Sequence, residues 1–260
     1  MAASSARSSA KRSSGRKRAR RPRRILAIDV GATGLKAAVI SPRGAFLKDR
    51  VRVKTPYPCP PKILVAALAE LVEPLGGFDC VTVGFPGYVK RGRVVTAPNL
   101  GTKAWTNFPL ESVMAKTLGK PVQLLNDADV QGLAVIKGKG LELVATLGTG
   151  LGTAWFQDGR LLPHMELAHM PVHRGKDFDR YIGEESRKKI GHEQWNKRVQ
   201  KTLAILATVF NYDHLYVGGG NSRRVKFKLP PHVTIVSNDA GMEGGAFVWY
   251  PMGPRKSGGT

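Results

Sequence analysis

Two glycine loops about 115 residues apart, each set between apolar runs, constrain this 260-residue chain more than any other feature. The first lies in ILAIDVGATGLKAAVI, residues 25–40, and the second in LELVATLGTGLGTAWF, residues 141–156. In both, aliphatic and β-branched side chains run up to a turn of Gly and Thr and then resume, the pattern of a strand, a turn and a returning strand. Residues with no bulky side chain let backbone N–H groups close on an anion, so each turn is a phosphate-sized nest. Either loop alone also reads as an ordinary hairpin turn. Used twice, they predict two related halves that hold a phosphate chain between them.

The remaining patterning fits such a plan. FLKDRVRVKTP, residues 46–56, reads as a third strand; PYPCPP breaks the pattern; KILVAALAELVEPL has apolar residues at helical spacing. VTVGFPG and RVVTAP read as strands and LESVMAKTLG as a helix, which completes a first α/β half over residues 25–122. PVQLLN is expected to open the second half, residues 123–239, as a buried strand that delivers Asn126 and Asp127 to the start of a helix, DVQGLAVIKG. A long helical tract is expected from about Lys176 through Phe210, followed by strands HLYVGGG and HVTIVSN and a last helix over about 240–250. Residues 251–260 are expected to form a flexible tail.

The composition excludes several classes. No apolar run reaches the ~18 residues of a membrane span, so no membrane partner is expected. Cys59 and Cys80 are too few for a disulfide scaffold and stand in no CxxC pair, which points to a reducing, cytoplasmic setting. The formal charge is +22; residues 1–24 hold ten Lys/Arg and no acid, and removing those ten from 41 leaves 31 against 19 acidic residues, a balance of +12 on the body. A basic body suits a long polyanionic partner, although a merely solvated surface has the same charge. Residues 1–24 have the Ser/Arg/Lys composition of a disordered basic arm, read first as an anion-binding arm, then as an inert extension, then as a targeting peptide.

Three further motifs stand between and after the loops: Ala97-Pro98-Asn99-Leu100-Gly101, Asn126-Asp127-Ala128-Asp129 and Glu166-Leu167-Ala168-His169. With these in the same order and at similar spacing from residue 25 to 250, the chain resembles the ROK family of sugar kinases, most closely its polyphosphate glucokinase and glucomannokinase branch. The resemblance implies the two-domain actin-like ATPase (ribonuclease H-like) α/β fold, with the active site in the cleft between halves and the final helix packed back on the first half. It also implies transfer of a phosphoryl group from inorganic polyphosphate, with ATP as a second candidate donor, to the 6-hydroxyl of glucose or mannose. The alternatives are an ATP-dependent glucokinase and a non-catalytic sugar-responsive regulator; nucleic acid is not an expected partner, and a homodimer would follow the family habit.

Phosphoryl transfer to a hydroxyl asks for a base, cradles for the donor phosphates and groups that fix the sugar. Asp127, at a strand end and a helix start, is the expected base, although Asn-Asp before a helix is also capping chemistry. Asp129 reads as a first-turn acid favoured by the helix dipole. By resemblance, Asn99, Asn126, Glu166 and His169 would bind the sugar, with Ala168 standing where the family has Gly. A further family acid matches Asp179 best, with Glu184 and Glu185 as rivals. Asp29 would meet Mg²⁺, through water. Gly31, Thr33, Gly34 and Lys36 would hold one phosphate, Gly148, Thr149, Gly150 and Gly152 the next, and Gly219 belongs to a third loop, Gly218–Gly220. No structural zinc is expected, because MPVHRGKDFDRY, residues 170–181, lacks the cysteines many family members carry there.

Overall fold

The computed structural model describes residues 23–237 and 240–251. Most of the basic arm and of the C-terminal tail therefore lies outside the described residues. The first sheet has the order β3-β2-β1-β4-β7, built from β1 (Ile25–Val30), β2 (Gly34–Ile40), β3 (Val51–Lys54), β4 (Cys80–Phe85) and β7 (Val122–Asn126). A small hairpin of β5 (Val89–Lys90) and β6 (Arg93–Val94) leaves the end of β4. The second sheet has the order β10-β9-β8-β13-β14, from β8 (Leu141–Leu147), β9 (Leu151–Gln157), β10 (Arg160–Leu161), β13 (His214–Gly218) and β14 (Val233–Ile235). A second small hairpin, β11 (Pro171–His173) with β12 (Lys176–Asp177), lies between β10 and β13.

The two sheets repeat one topology: three antiparallel strands, then two strands added parallel to the first. This explains why β1 and β8 read as apolar on both faces. Each is flanked by strands on both edges and covered on both faces, so Ile25, Leu26, Leu143 and Val144 are all fully buried. The edge strand β3 is mostly exposed and carries Arg52 and Lys54, charges that discourage edge-to-edge pairing.

Two expectations are corrected. PVQLLN does not open the second sheet: β7 pairs parallel with β4, Phe85 opposite Asn126, and is the fifth strand of the first. A fifth parallel strand carries no hairpin turn to mark its partner, and a short buried run such as VQLLN fits either sheet. The tract from Lys176 to Phe210 is not one helix. It begins as β12 and then divides into α4 (Phe178–Ile182), α5 (Glu184–Ile190) and α6 (His192–Phe210), separated by Gly183 and Gly191, the latter at φ 79° where a helix cannot continue.

On one face of the first sheet α1 (Pro61–Val72) and α2 (Leu110–Leu118) bury Leu64, Leu68, Leu110 and Met114 against Leu26, Val83 and Phe85. In the second half α6 lays Trp195, Val199, Leu203 and Leu206 on Leu143, Trp155 and Leu215. Between the sheets runs α3 (Asp127–Val135), reached directly from β7 and packed through Ala128, Leu133 and Ile136 on Val144, Ala154 and Phe156 of the second sheet. The C-terminal segment forms two short helices, α7 (Ala240–Glu243) and α8 (Gly245–Trp249), and returns to the first sheet: Met242 and Ala246 bury against Ile25 and Ala38. Thr82 of β4 donates to Gly245 O at 2.8 Å and accepts from Trp249 Nε1 at 3.0 Å. Among the described residues, no helix is long and apolar enough to cross a membrane.

Candidate active site

The strand ends of both sheets open on one cleft, a cavity of about 370 Å³. The β1–β2 turn supplies Asp29, Gly31, Thr33 and Lys36 to its wall. Gly31 N donates to Gly34 O at 3.1 Å and Thr55 Oγ1 donates to Gly31 O at 2.6 Å, so the turn is closed from both sides. A Cβ on Gly31 would meet the Gly34 carbonyl at 2.8 Å, which requires glycine there. Gly34 itself does not line the cleft; it heads β2, closes the turn with its carbonyl and lies against the Arg52 guanidinium.

The β8–β9 turn faces it with Gly148, Thr149, Gly150 and Gly152. Gly219 also lines the cleft; it sits at φ 85°, and a Cβ there would collide with the backbone of Leu147. Behind these loops Asn221 Nδ2 donates to Gly148 O at 3.1 Å and to Glu184 Oε2 at 2.9 Å. Glu184 is also bound by Arg187, at 2.9 and 2.8 Å, which with Asn221 holds its carboxyl down to about 2. Glu184 therefore braces the loop from behind, and Glu185 is exposed on α5 outside the cleft. Of the three rival acids, Asp179 lines the cleft, with Oδ1 accepting from Leu151 N at 2.7 Å.

At the end of β7 the side chains divide their work. Asn126 caps α3, its Oδ1 accepting from Ala128 N at 2.8 Å, and its Nδ2 donates to Gly87 O at 3.1 Å. Asn126 lines the cleft, but both ends of its amide are engaged in shaping it, the capping chemistry that Asn-Asp before a helix allows. With the cap supplied by its neighbour, Asp127 is left at the mouth of α3, facing the cleft and sharing the Ala128 N–H at 2.9 Å. Burial, then the negative charge of Asp29, push the Asp127 carboxyl up to about 7.

The cleft is also lined by Asn99, on the turn Pro98–Leu100, and by Glu166 and His169, which precede and end the turn Leu167–His169. Ala168 is buried in that turn and is not among the residues at positive φ, so a Cβ is accommodated where the family has Gly. Asp129 stands in the first turn of α3, as expected, but it is 5% exposed and hydrogen-bonded to His164, a residue for which no role is expected from the sequence.

Asp29 pairs with Lys36 Nζ at 2.7 Å and lies near enough to Asp127 to raise it. Among the described residues, no group of three or more His, Cys, Asp or Glu could hold a metal ion on its own. Two hard carboxylates beside phosphate-sized loops fit Mg²⁺, which keeps several waters and takes its other ligands from phosphate oxygens rather than from a protein cage.

The profile of the ROK family matches residues 25–177. The chain belongs to the ROK family. It is 31% identical over 236 residues to a polyphosphate glucokinase of Mycobacterium tuberculosis (strain ATCC 25618 / H37Rv), covering 84% of this chain and 88% of that one. Among solved structures it is similar to an inorganic polyphosphate/ATP-glucomannokinase from Arthrobacter sp. strain KM, with 31% identity and a TM-score of 0.80 over 88% of this chain and 98% of that one. A ROK family glucokinase from Streptomyces griseus, solved with glucose and AMPPNP, shares the fold at 20% identity and a TM-score of 0.72, covering 86% of this chain and 98% of its own. The strand order used twice, with a cleft at the strand ends, is the two-domain actin-like ATPase fold of ROK sugar kinases.

Proposed function

We propose that this ROK protein is a sugar kinase that transfers the terminal phosphoryl group of inorganic polyphosphate, and also of ATP, to the 6-hydroxyl of glucose or mannose. The observation that carries the reading is the position of Asp127: one half-buried carboxyl at the head of α3, in a single cleft that is also lined by the glycine loops and by Glu166, His169, Asp179 and Asn99. The resemblance to a polyphosphate glucokinase and a glucomannokinase, each at 31% identity, supports both the reaction and the donor.

In this mechanism Asn99, Glu166, His169 and Asp179 hold the sugar hydroxyls and turn the 6-hydroxyl toward Asp127. Asp127 accepts the hydroxyl proton as the new bond to phosphorus forms, and a carboxyl near 7 is matched to that task at neutral pH. Backbone N–H groups of the loops around Gly31, Gly148, Gly150 and Gly219, with Thr33 and Thr149, cradle the donor, and Lys36 adds a point charge beside Asp29. Mg²⁺, held by Asp29 through water, would neutralise charge on the donor phosphates.

The reading places a first half through β7, a second from β8, and α3 between them; it takes the protein as cytoplasmic and as a homodimer. The experiment is a coupled assay for sugar 6-phosphate with glucose and mannose, each against polyphosphate and ATP. Product from polyphosphate is expected with at least one sugar. Product from ATP alone would make the protein an ATP-dependent kinase, and no product from any pair would refute the reading.

A further inference from the structure

The loop before Glu166 carries a histidine that this mechanism leaves unused. The His164 side chain is only 7% exposed, with Nδ1 3.1 Å from Asp129 Oδ1 and Nε2 3.0 Å from Glu166 Oε1. Burial raises the Asp129 carboxyl and the hydrogen bond from His164 opposes that rise; with both carboxylates ionised they only accept, and the ring between them donates from both nitrogens as an imidazolium. Its ring stacks on Tyr88, 5.9 Å between centroids, which comes from the segment after β4. The charged or titratable groups around it are Asp129 and Asp127 of α3, Glu166 of its own loop and Tyr88. Burial opposes the positive charge, but the hydrogen bonds to Asp129 and Glu166 outweigh it and hold His164 up to about 9.

We infer that His164 is a positioning residue that clamps the Glu166 carboxylate to Asp129, on the first turn of the helix that carries Asp127. The inference rests on the sugar-kinase reading. Glu166 stands on an irregular loop with its side chain 30% exposed, and a free Glu has several rotamers to lose when a ligand binds. Fixing Oε1 with His164 meets that cost during folding, so sugar binding does not, and Oε2 remains to accept a hydroxyl. The clamp also sets the sugar ligand at a constant separation from the base, because Asp129 and Asp127 share one helical turn. Asp129, buried, gains the partner its charge requires.

The test compares wild type with His164→Phe and His164→Gln, each first shown to be folded by circular dichroism and thermal unfolding. Phe keeps a ring against Tyr88 but has no donor, and the loss of charge-assisted hydrogen bonds predicts a sugar KM raised about ten-fold or more with the donor KM unchanged. Gln, with an amide donor, is expected between Phe and wild type. An unchanged sugar KM in the Phe variant, or an equal rise in donor KM, would overturn the inference. Independently of any variant, nitrogen NMR of the wild-type ring is expected to show both nitrogens protonated at neutral pH, with sugar KM rising as the pH approaches about 9. A neutral imidazole would overturn the clamp while leaving the kinase reading intact. A wild type that phosphorylates no sugar from either donor would overturn the proposed function and this inference with it.

Discussion

At the scale of single residues, Asp127 owes its character to its surroundings. Its ordinary value of 3.8 is pushed up to about 7, first by burial and then by Asp29, against the opposing pull of the Ala128 N–H and of His164. The sign for stability follows. Between about 4 and about 7 the folded state keeps a proton that the unfolded chain releases, so this group's contribution to stability is full at low pH and falls as pH rises through that window. Carbon NMR of Asp127 in metal-free protein is expected to titrate near 7, and Asp29→Asn to lower the midpoint; titration near the ordinary value would contradict the geometry. Asp127 and Glu166 were legible in the sequence through the family resemblance of their motifs, since Asn-Asp before a helix is by itself also capping chemistry. His164 was not, because its partner Asp129 is 35 positions away and Pro163-His164-Met165 carries no periodic signal. The choice among Asp179, Glu184 and Glu185 needed the fold, which hands Glu184 to Arg187 and Asn221.

Among the elements, the hairpins were the readable part. β1–β2 and β8–β9 announce themselves by apolar runs on both sides of a glycine turn, because local pairing leaves a local pattern. The membership of β7 and the division of the 176–210 tract depend on contacts between distant segments and on where glycines interrupt a helix, and neither is written in periodicity. The third donor loop is the element most sensitive to a single atom. Gly219 combines φ 85° with the backbone of Leu147 where a Cβ would stand. Gly219→Ala is therefore expected to destabilise the protein by roughly 1–3 kcal/mol, the scale of a forced backbone conformation, and to raise donor KM more than sugar KM. Denaturant midpoints and kinetics with each substrate varied check this; an Ala variant as stable as wild type would show that the loop relaxes freely.

For the whole molecule, the twice-used strand order puts both glycine loops and the α3 terminus at one cleft, on a chain with a formal charge of +22. A long polyphosphate releases many counterions when it binds, so its KM should rise steeply with salt, while that of ATP, with fewer charges, should rise less. Deleting residues 1–22 should flatten that slope and leave kcat unchanged. The cut stops short of Arg23 and Arg24, whose backbone N–H groups hold Asp79 at 2.7 and 3.0 Å. Identical slopes with and without the segment would confine polyphosphate capture to the body. The central claim, that Asp127 takes the proton from a sugar hydroxyl as phosphoryl moves from polyphosphate, is tested most directly by Asp127→Asn. Sugar 6-phosphate formation from polyphosphate is measured for wild type and variant, beside calorimetric sugar binding. The account predicts a variant that is folded and binds sugar as wild type does, with turnover lowered by roughly 10²-fold or more, the scale for a lost general base. Turnover within a few-fold of wild type in folded protein would contradict it.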